Sequence, residues 1–334
     1  MALERSDRPT LRTISELTGF AVPTVSRALK GAPDIGPATK DTVQRVAREI
    51  GYVPNRAGVR LKTGKTHVIS LILSTERDIM SHTARLISGI AEALRDTNYH
   101  LIVTPTLKGE DPMKPVRYIV ETGSADAIIL NQTEPEDARV AYLMERGFPF
   151  ATHGRTNQSC QHAYFDFDND RYGQMAVSEL AGRGRRHILL VAPPPNQMYA
   201  RHMIAAAEEQ AALSGVGLTR LEAATSDETT DAIRSAVFDH VTSAVETDAI
   251  LCGSTAAAMA SVAAVEAAGR AVAQDVDVLS KEALPFLKLF RPGIITLAED
   301  AVRAADFLAR ATVQAVDRPD LPPLQALDFP ETFD

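Results

Sequence analysis

The strongest constraint on this chain is a repeated alternation of short apolar runs with amphipathic stretches, which begins at His67 and continues almost to the end. VISLILS precedes ARLISGIAEAL, HLIVTP precedes MKPVRYIVET, and DAIIL precedes RVAYLMERG, before PFATHG closes the series. The pattern then starts afresh with MAVSELAGRG, HILLVAPP, HMIAAAEEQAALSG, TTDAIRSAVFDHV, DAILCGS, AAMASVAAVEAAG and VDVLS. A run too short for a helix and apolar throughout reads as a strand buried on both faces, and a period near 3.6 reads as the helix that covers it. Two successive sets of such units predict two doubly wound parallel sheets. Sheets of this kind bind ligands beyond the carboxyl ends of their strands, so two that face each other form a cleft.

Charge separates a second region from the first. The 334-residue chain carries a net −8, which taken whole argues against a nucleic-acid partner. Residues 1–66, however, hold twelve Lys and Arg against six acidic residues, so this segment is +6 and the remainder is −14. A small basic module is joined to a large acidic one. The basic segment reads as short helices. Thr10 is an N-cap candidate, Leu11, Ile14 and Leu17 lie on one face, and Gly19 is placed for a left-handed stop. A second helix starts at Val22 with Pro23 in its first turn and stops at Gly31, and a third runs from Pro37 to about Ile50. Two short helices with a tight Gly-containing turn between them make a helix-turn-helix arrangement. A fourth, very short basic helix is expected from Asn55, too short to form without a partner surface.

The runs TVSRAL and GYVPNRA, within PTLRTISELTGFAVPTVSRALKG and PATKDTVQRVAREIGYVPNRAGVRLKTG, resemble the headpiece and hinge of the lactose-repressor (LacI/GalR) family of bacterial transcription regulators. The runs DPMKPVRYIVETGSADAIILNQTEP and PFATHGR resemble a sugar-utilisation subgroup that includes α-glucoside-type regulators. The resemblance implies a small all-α helix-turn-helix headpiece over residues 1–53, a hinge helix and linker over 54–66, and a periplasmic-binding-protein-like core of two α/β lobes over 67–334. Lobe 1 would comprise about 67–166 and 297–326, and lobe 2 about 167–296, with crossings near Phe167, near Leu297 and again near the C-terminus.

For DNA the same resemblance implies that the second helix enters the major groove. There Val22 and Pro23 offer apolar contact and Arg27 can donate a bidentate pair to guanine. Thr10, Thr24, Ser26 and Asn55 fit phosphate or capping roles, with Arg56 in the basic hinge. Leu61 corresponds to the wedge that kinks DNA from the minor groove. Where the family carries Ala-Arg in the hinge this chain has Gly58-Val59, which lowers helix propensity by about 1 kcal/mol at the glycine.

Candidate effector contacts are the residues at strand ends: Ser74, Asn131, His153, Tyr199, His202, Ser254, Glu282 and Glu299. They provide the fixed donors and acceptors a mono- or disaccharide needs, and with no Trp in the chain any ring stacking falls to Phe or Tyr. Three positions depart from the family. Met203 replaces a gripping Arg, so that His202 or Arg201 is the substitute; Ser254-Thr255 replaces Asn-Asp; and Ser280-Lys281-Glu282-Ala283 replaces Gly-x-Asp-Asp.

Other chemistries find little support. The Gly58–Thr66 run has one residue too many between its glycines for a phosphate-binding loop, and no strand precedes it. Asp166, Asp168 and Asp170 resemble the start of a calcium loop, but Arg171 stands where the turn glycine is needed and Val177 where the bidentate Glu is needed. The eight histidines include no HExxH pair and the two cysteines are far apart, so neither a zinc site nor a disulfide framework is expected, nor any other cofactor. No apolar run reaches the roughly 18 residues of a membrane span, and the charged start MALERSDRPT is not a secretory signal. The expectation is a cytoplasmic, homodimeric DNA-binding regulator, most simply a repressor of near-palindromic operators, and not an enzyme. A sugar-transport binding protein or an α/β enzyme stays in view as the alternative. The first would need a signal peptide and has no use for the basic headpiece; the second needs a convergent acid, base or nucleophile.

Overall fold

The computed structural model describes residues 9–53, 60, 64–74, 82–107 and 109–334, with the Ser74 side chain outside that description. Asn55, Arg56 and Leu61, and with them most of the expected hinge helix, lie outside the described residues. The chain divides into two compact units between Thr66 and His67.

The first unit is three helices, α1 (Leu11–Thr18), α2 (Val22–Leu29) and α3 (Pro37–Glu49). Thr10 opens α1 through a reciprocal cap. Its hydroxyl accepts from the Thr13 amide at 3.3 Å while its own amide donates to the Thr13 hydroxyl at 3.1 Å. Gly19 ends the helix in the left-handed conformation, with φ +73°. Pro23 lies in the first turn of α2, where its missing N–H costs nothing. That helix ends at Leu29, and Gly31, expected as its stop, is instead the left-handed residue of the following turn, with φ +70°. Ile14, Val25, Ala28, Val43, Val46 and Ala47 close a small core among the three helices.

The second unit contains two parallel sheets. The first is ordered β11-β5-β4-β3-β1-β2, from β1 (Val68–Ser74), β2 (His100–Thr106), β3 (Ala127–Asn131), β4 (Phe150–His153), β5 (Ala163–Phe167) and β11 (Gln325–Asp328). The second is ordered β10-β9-β8-β6-β7, from β6 (His187–Val191), β7 (Gly217–Arg220), β8 (Ala249–Cys252), β9 (Asp277–Glu282) and β10 (Ile295–Ala298). Among these, β5, β7 and β11 carry no apolar run long enough to stand out in the sequence.

The pleat assigns the core. On β1, Ile69, Leu71 and Leu73 face α4 (His82–Ala93) and α12 (Ala301–Asp317), whereas Val68 and Ile72 face α5 (Met113–Thr122) and α6 (Ala138–Glu145). The second sheet repeats the arrangement. Ile188 and Leu190 pack with α7 (Asn169–Gly182) and α8 (Met198–Ser214), and Leu189 and Val191 with α9 (Thr230–Ser243) and α10 (Thr255–Ala267). The chain crosses from the first sheet to the second between β5 and α7 and returns between β10 and α12. It reaches the second once more after β11, where Phe333 bridges to Leu297 and Asp334 exchanges backbone bonds with Thr296. The fold class is as the sequence pattern implies: a helical headpiece and a two-lobed α/β core.

Helices α7 and α8 touch at Gly173, where an added Cβ would stand 2.7 Å from the Met203 carbonyl oxygen and 3.1 Å from the Ala207 amide nitrogen. Backbone cannot yield there as a side chain could. Gly173→Ala is expected to lower stability by about 1–3 kcal/mol in urea unfolding, although alanine favours an isolated helix by about 1 kcal/mol. A variant as stable as the parent would show that the two helices have room to separate.

Candidate functional site

The strand order places a crevice where sequential strands diverge to opposite sides, between β1 and β3 in one sheet and between β6 and β8 in the other. Both crevices open on a single cavity of about 190 Å³. Six of the expected effector residues line it: Asn131 and His153 at the ends of β3 and β4, Tyr199 in the first turn of α8, Ser254 after β8, Glu282 at the end of β9, and Glu299 after β10. Ser254 is also the N-cap of α10, accepting from the Ala257 amide at 3.1 Å and donating to the Ser226 carbonyl at 2.9 Å. Glu282 turns one carboxylate oxygen to the amides of Phe286 and Leu287, at 2.9 and 2.8 Å, at the start of the short helix α11 (Leu287–Phe290), so the carboxylate is held by backbone.

His202 does not line the cavity. It belongs to an ion network in which Arg155, just after β4, donates to Asp166 at 2.7 Å and to Asp170 of α7 at 3.2 Å, with the His202 ring nitrogen 3.2 Å from the same guanidinium. Met203, where the family carries Arg, is fully buried in the core, so the position is apolar packing.

The residue that organises the cavity is one the strand-end reading passed over. Lys281, at the carboxyl end of β9, is buried and forms an ion pair with Glu299 at 3.0 Å and donates to Asn169 at 3.0 Å. Its ammonium lies 4.7 Å from the Phe167 ring centre and 5.7 Å from that of Tyr199. The signal was present, because a lysine inside the apolar stretch VDVLSKEALPF cannot be buried without a partner. Burial opposes the Glu299 charge, but Lys281 and then His82 outweigh it and hold the carboxyl well below the usual carboxylate range.

Two imidazoles stand beside this pair. His82, the first residue of α4, stacks on His153 with ring centres 5.1 Å apart and planes 12° from parallel. His153 is pushed down to about 3 by burial, with His82 and Lys281 adding to the effect, so it is a neutral ring. Asn131 Oδ1 lies 3.3 Å from its Nδ1, which makes Nδ1 the protonated nitrogen. The Asn131 oxygen also accepts from the Gln132 amide at 2.7 Å, and Gln132 adopts a left-handed φ of +54°, an uncommon conformation for a residue with a side chain and one that marks a constrained site. His82, Gln132, Asn169 and Asp227 are further lining residues that the sequence did not single out, since no periodicity distinguishes them. The cavity therefore offers hydrogen-bond donors and acceptors around two aromatic faces. Ser254 donates to a backbone carbonyl and not to a base, so the cavity's most nucleophile-like hydroxyl is not activated.

In the first unit, α2 buries Val25 and Ala28 and turns Val22, Pro23 and Arg27 to solvent, with Thr24 and Ser26 half-buried beside them. Arg27 forms an exposed ion pair with Asp34. Thr10 is committed to its cap. The exposed stripe of α2 thus carries one apolar end and one guanidinium, a combination suited to base edges in a major groove.

Residues 10–55 match the model of the bacterial regulatory proteins of the lacI family, and residues 66–316 match that of the periplasmic binding proteins and sugar binding domain of the LacI family. The chain belongs to the LacI family. It is a DNA-binding transcriptional regulator and not an enzyme. Among curated relatives, the HTH-type transcriptional regulator AglR of Rhizobium meliloti is 28% identical over 300 residues, covering 88% of this chain and 84% of that protein. RafR of Escherichia coli is 33% identical over 191 residues, 57% of this chain and 56% of that one. Solved structures with the same fold include a CelR–cellobiose complex, at TM-score 0.71 and 23% identity over 98% of both chains. The lac repressor dimer bound to operator and an anti-inducer has TM-score 0.84 and 16% identity over 97% of both chains.

The Arg155 network gives a pH-dependent contribution to this family member's stability. Burial pushes the Asp166 carboxyl up to about 6, against the pull of Arg155. Because that lies above its ordinary value of 3.8, the group favours the folded state fully below about pH 4 and loses that contribution as pH rises through about 6. Asp166→Asn, neutral at every pH, is expected to change the stability difference between pH 4 and pH 7 by up to about 3 kcal/mol, read by urea unfolding. An unaltered difference would mean that the carboxyl is ionised across that range.

Proposed function

We propose that this regulator is a cytoplasmic, homodimeric repressor whose operator affinity is set by a mono- or disaccharide held between the two lobes of residues 67–334. The observation that carries the reading is the cavity itself: polar side chains from the carboxyl ends of both sheets meet there, between lobes that the chain links by crossover segments. In relatives of this family the names and complexes point the same way, with cellobiose in CelR and an operator-bound dimer for the lac repressor.

In this reading Asn131, His153, Tyr199, Ser254, Glu282 and Glu299 contact the sugar or hold the groups that do, with Lys281 and Asn169 beside them. Ser74 remains a candidate from its place at the end of β1. On the DNA side, Val22 and Pro23 contact bases by shape, Arg27 releases Asp34 to pair with guanine, and Thr24 and Ser26 reach phosphates, with Thr10 as a cap near the backbone. Asn55, Arg56 and Leu61 act from the 54–66 hinge, between the 1–53 headpiece and the core. The sugar binds the closed arrangement of the lobes better than the open one, and that difference, passed through the hinge, shifts the population competent to bind DNA.

Operator duplexes selected from a random pool test the DNA half. Binding is expected to weaken steeply with salt, and Arg27→Ala to cost about 10- to 200-fold in specific affinity, by fluorescence anisotropy. A thermal-shift panel of mono- and disaccharides tests the other half. If no saccharide both raises the melting temperature and changes operator affinity, the switch is not a sugar switch.

A further inference from the structure

The same cavity holds a constellation that sugar recognition does not require. His82 at the start of α4, His153 at the end of β4 and Glu299 in the crossover after β10 bring two imidazoles and one carboxylate together, with one ligand atom from each within 4.8 Å of the others. We infer that His82, His153 and Glu299 form a binding site for a divalent transition-metal ion of the zinc type, with the remaining coordination positions open to the effector cavity. This assignment rests on the reading of the cavity as the effector site only in what it says those open positions face.

Three features support it. First, His82 Nε2 is buried and has no hydrogen-bond partner; it lies 3.3 Å from Glu299 Oε1 but off the line that a hydrogen bond needs. A buried ring nitrogen beside a carboxylate to which it is not hydrogen-bonded is available to a cation that both could ligate. Second, the carboxylate is divided. Lys281 and Asn169 occupy one side of the cluster, with the ammonium on Oε2, so that Oε1 remains toward the imidazoles. Third, Asn131 Oδ1 accepts from the Nδ1–H of His153, which leaves Nε2 with its lone pair and fixes the ring, as a supporting residue does in histidine–metal sites.

Two imidazoles and a carboxylate suit zinc among the common divalent ions, and three protein ligands leave a position for water or a substrate hydroxyl. In a tetrahedral site neighbouring ligand atoms are about 3.3 Å apart, so the rings must converge by an ångström or so on binding. The nearby Lys281 charge weakens the site and does not fill it. The three ligands are far apart in sequence, at 82, 153 and 299, which is why no spacing motif announces them.

The test uses the full chain with zinc chloride alone, without sugar or DNA, followed by competition against a chelating dye. One zinc per chain is expected, and Co2+ should show the visible bands of a low-coordinate site. His82→Ala and His153→Ala should each weaken binding at least tenfold, and Asn131→Ala about tenfold, whereas Cys160→Ser, which removes the exposed thiol, should not change it. His82 is partly exposed, so its variant is the one whose folding is least at risk. Absence of saturable binding, or binding that survives His82→Ala, overturns the assignment. Because no sugar is present, that result is independent of the outcome of the saccharide panel.

Discussion

Each parallel sheet in the core must be covered by helices on both faces, and that requirement controls where polar chemistry can occur. The strands read out alternately to the two helical layers, Ile69 and Leu71 to one and Val68 and Ile72 to the other, so no functional side chain can stand on a sheet face without breaking a core. Only the strand edges remain. At the carboxyl edge, neighbouring strands hand the chain to helices on opposite sides at one point in each sheet, and the gap admits a ligand. Two such gaps share the cavity because the chain crosses between lobes beside it.

Lys281 and Glu299 are the main electrostatic expense of that arrangement. Removing both charges from water costs several kcal/mol each, and their mutual attraction offsets this only with further hydrogen bonds, which Asn169 and the aromatic faces of Phe167 and Tyr199 supply. The pair joins β9 to the crossover after β10, next to the backbone bond from the Glu299 amide to the Glu282 carbonyl. It therefore ties down the segment through which the chain returns from the second lobe to the first. Arg155 plays a comparable part on the other side, tying Asp166 of β5 to Asp170 of α7. Charged pairs thus stand beside two of the places where the chain crosses between the lobes.

The headpiece solves a different problem. A core of six small or branched apolar side chains is slight, and its helices are short enough that their ends matter. The reciprocal Thr10–Thr13 cap and the left-handed Gly19 specify α1 from both ends, and Pro23 specifies where α2 begins. What this leaves exposed on α2 is Val22, Pro23 and Arg27, on a segment whose positive charge contrasts with the negative charge of the core.

Local order was legible in the sequence wherever it depends on neighbours along the chain. The cap and stop of α1, the starts of α2 and α3, the alternation that makes two doubly wound sheets, the charge asymmetry and the strand-end positions of Asn131, His153, Tyr199, Ser254, Glu282 and Glu299 all follow from periodicity and residue type. The edge strands β7 and β11 did not, because partial exposure removes the continuous apolar run that marks a buried strand, and in the interior strand β5 Asp166 interrupts that run. Tertiary structure alone decided which of those candidates share a cavity, that His202 joins Arg155 instead, that Lys281 is the buried cation at its floor, and that His82 and Glu299 meet His153. Such meetings are set by how crossovers return the chain to one place, and the contact energies that reward them act between residues whose separation in sequence carries no periodic signal.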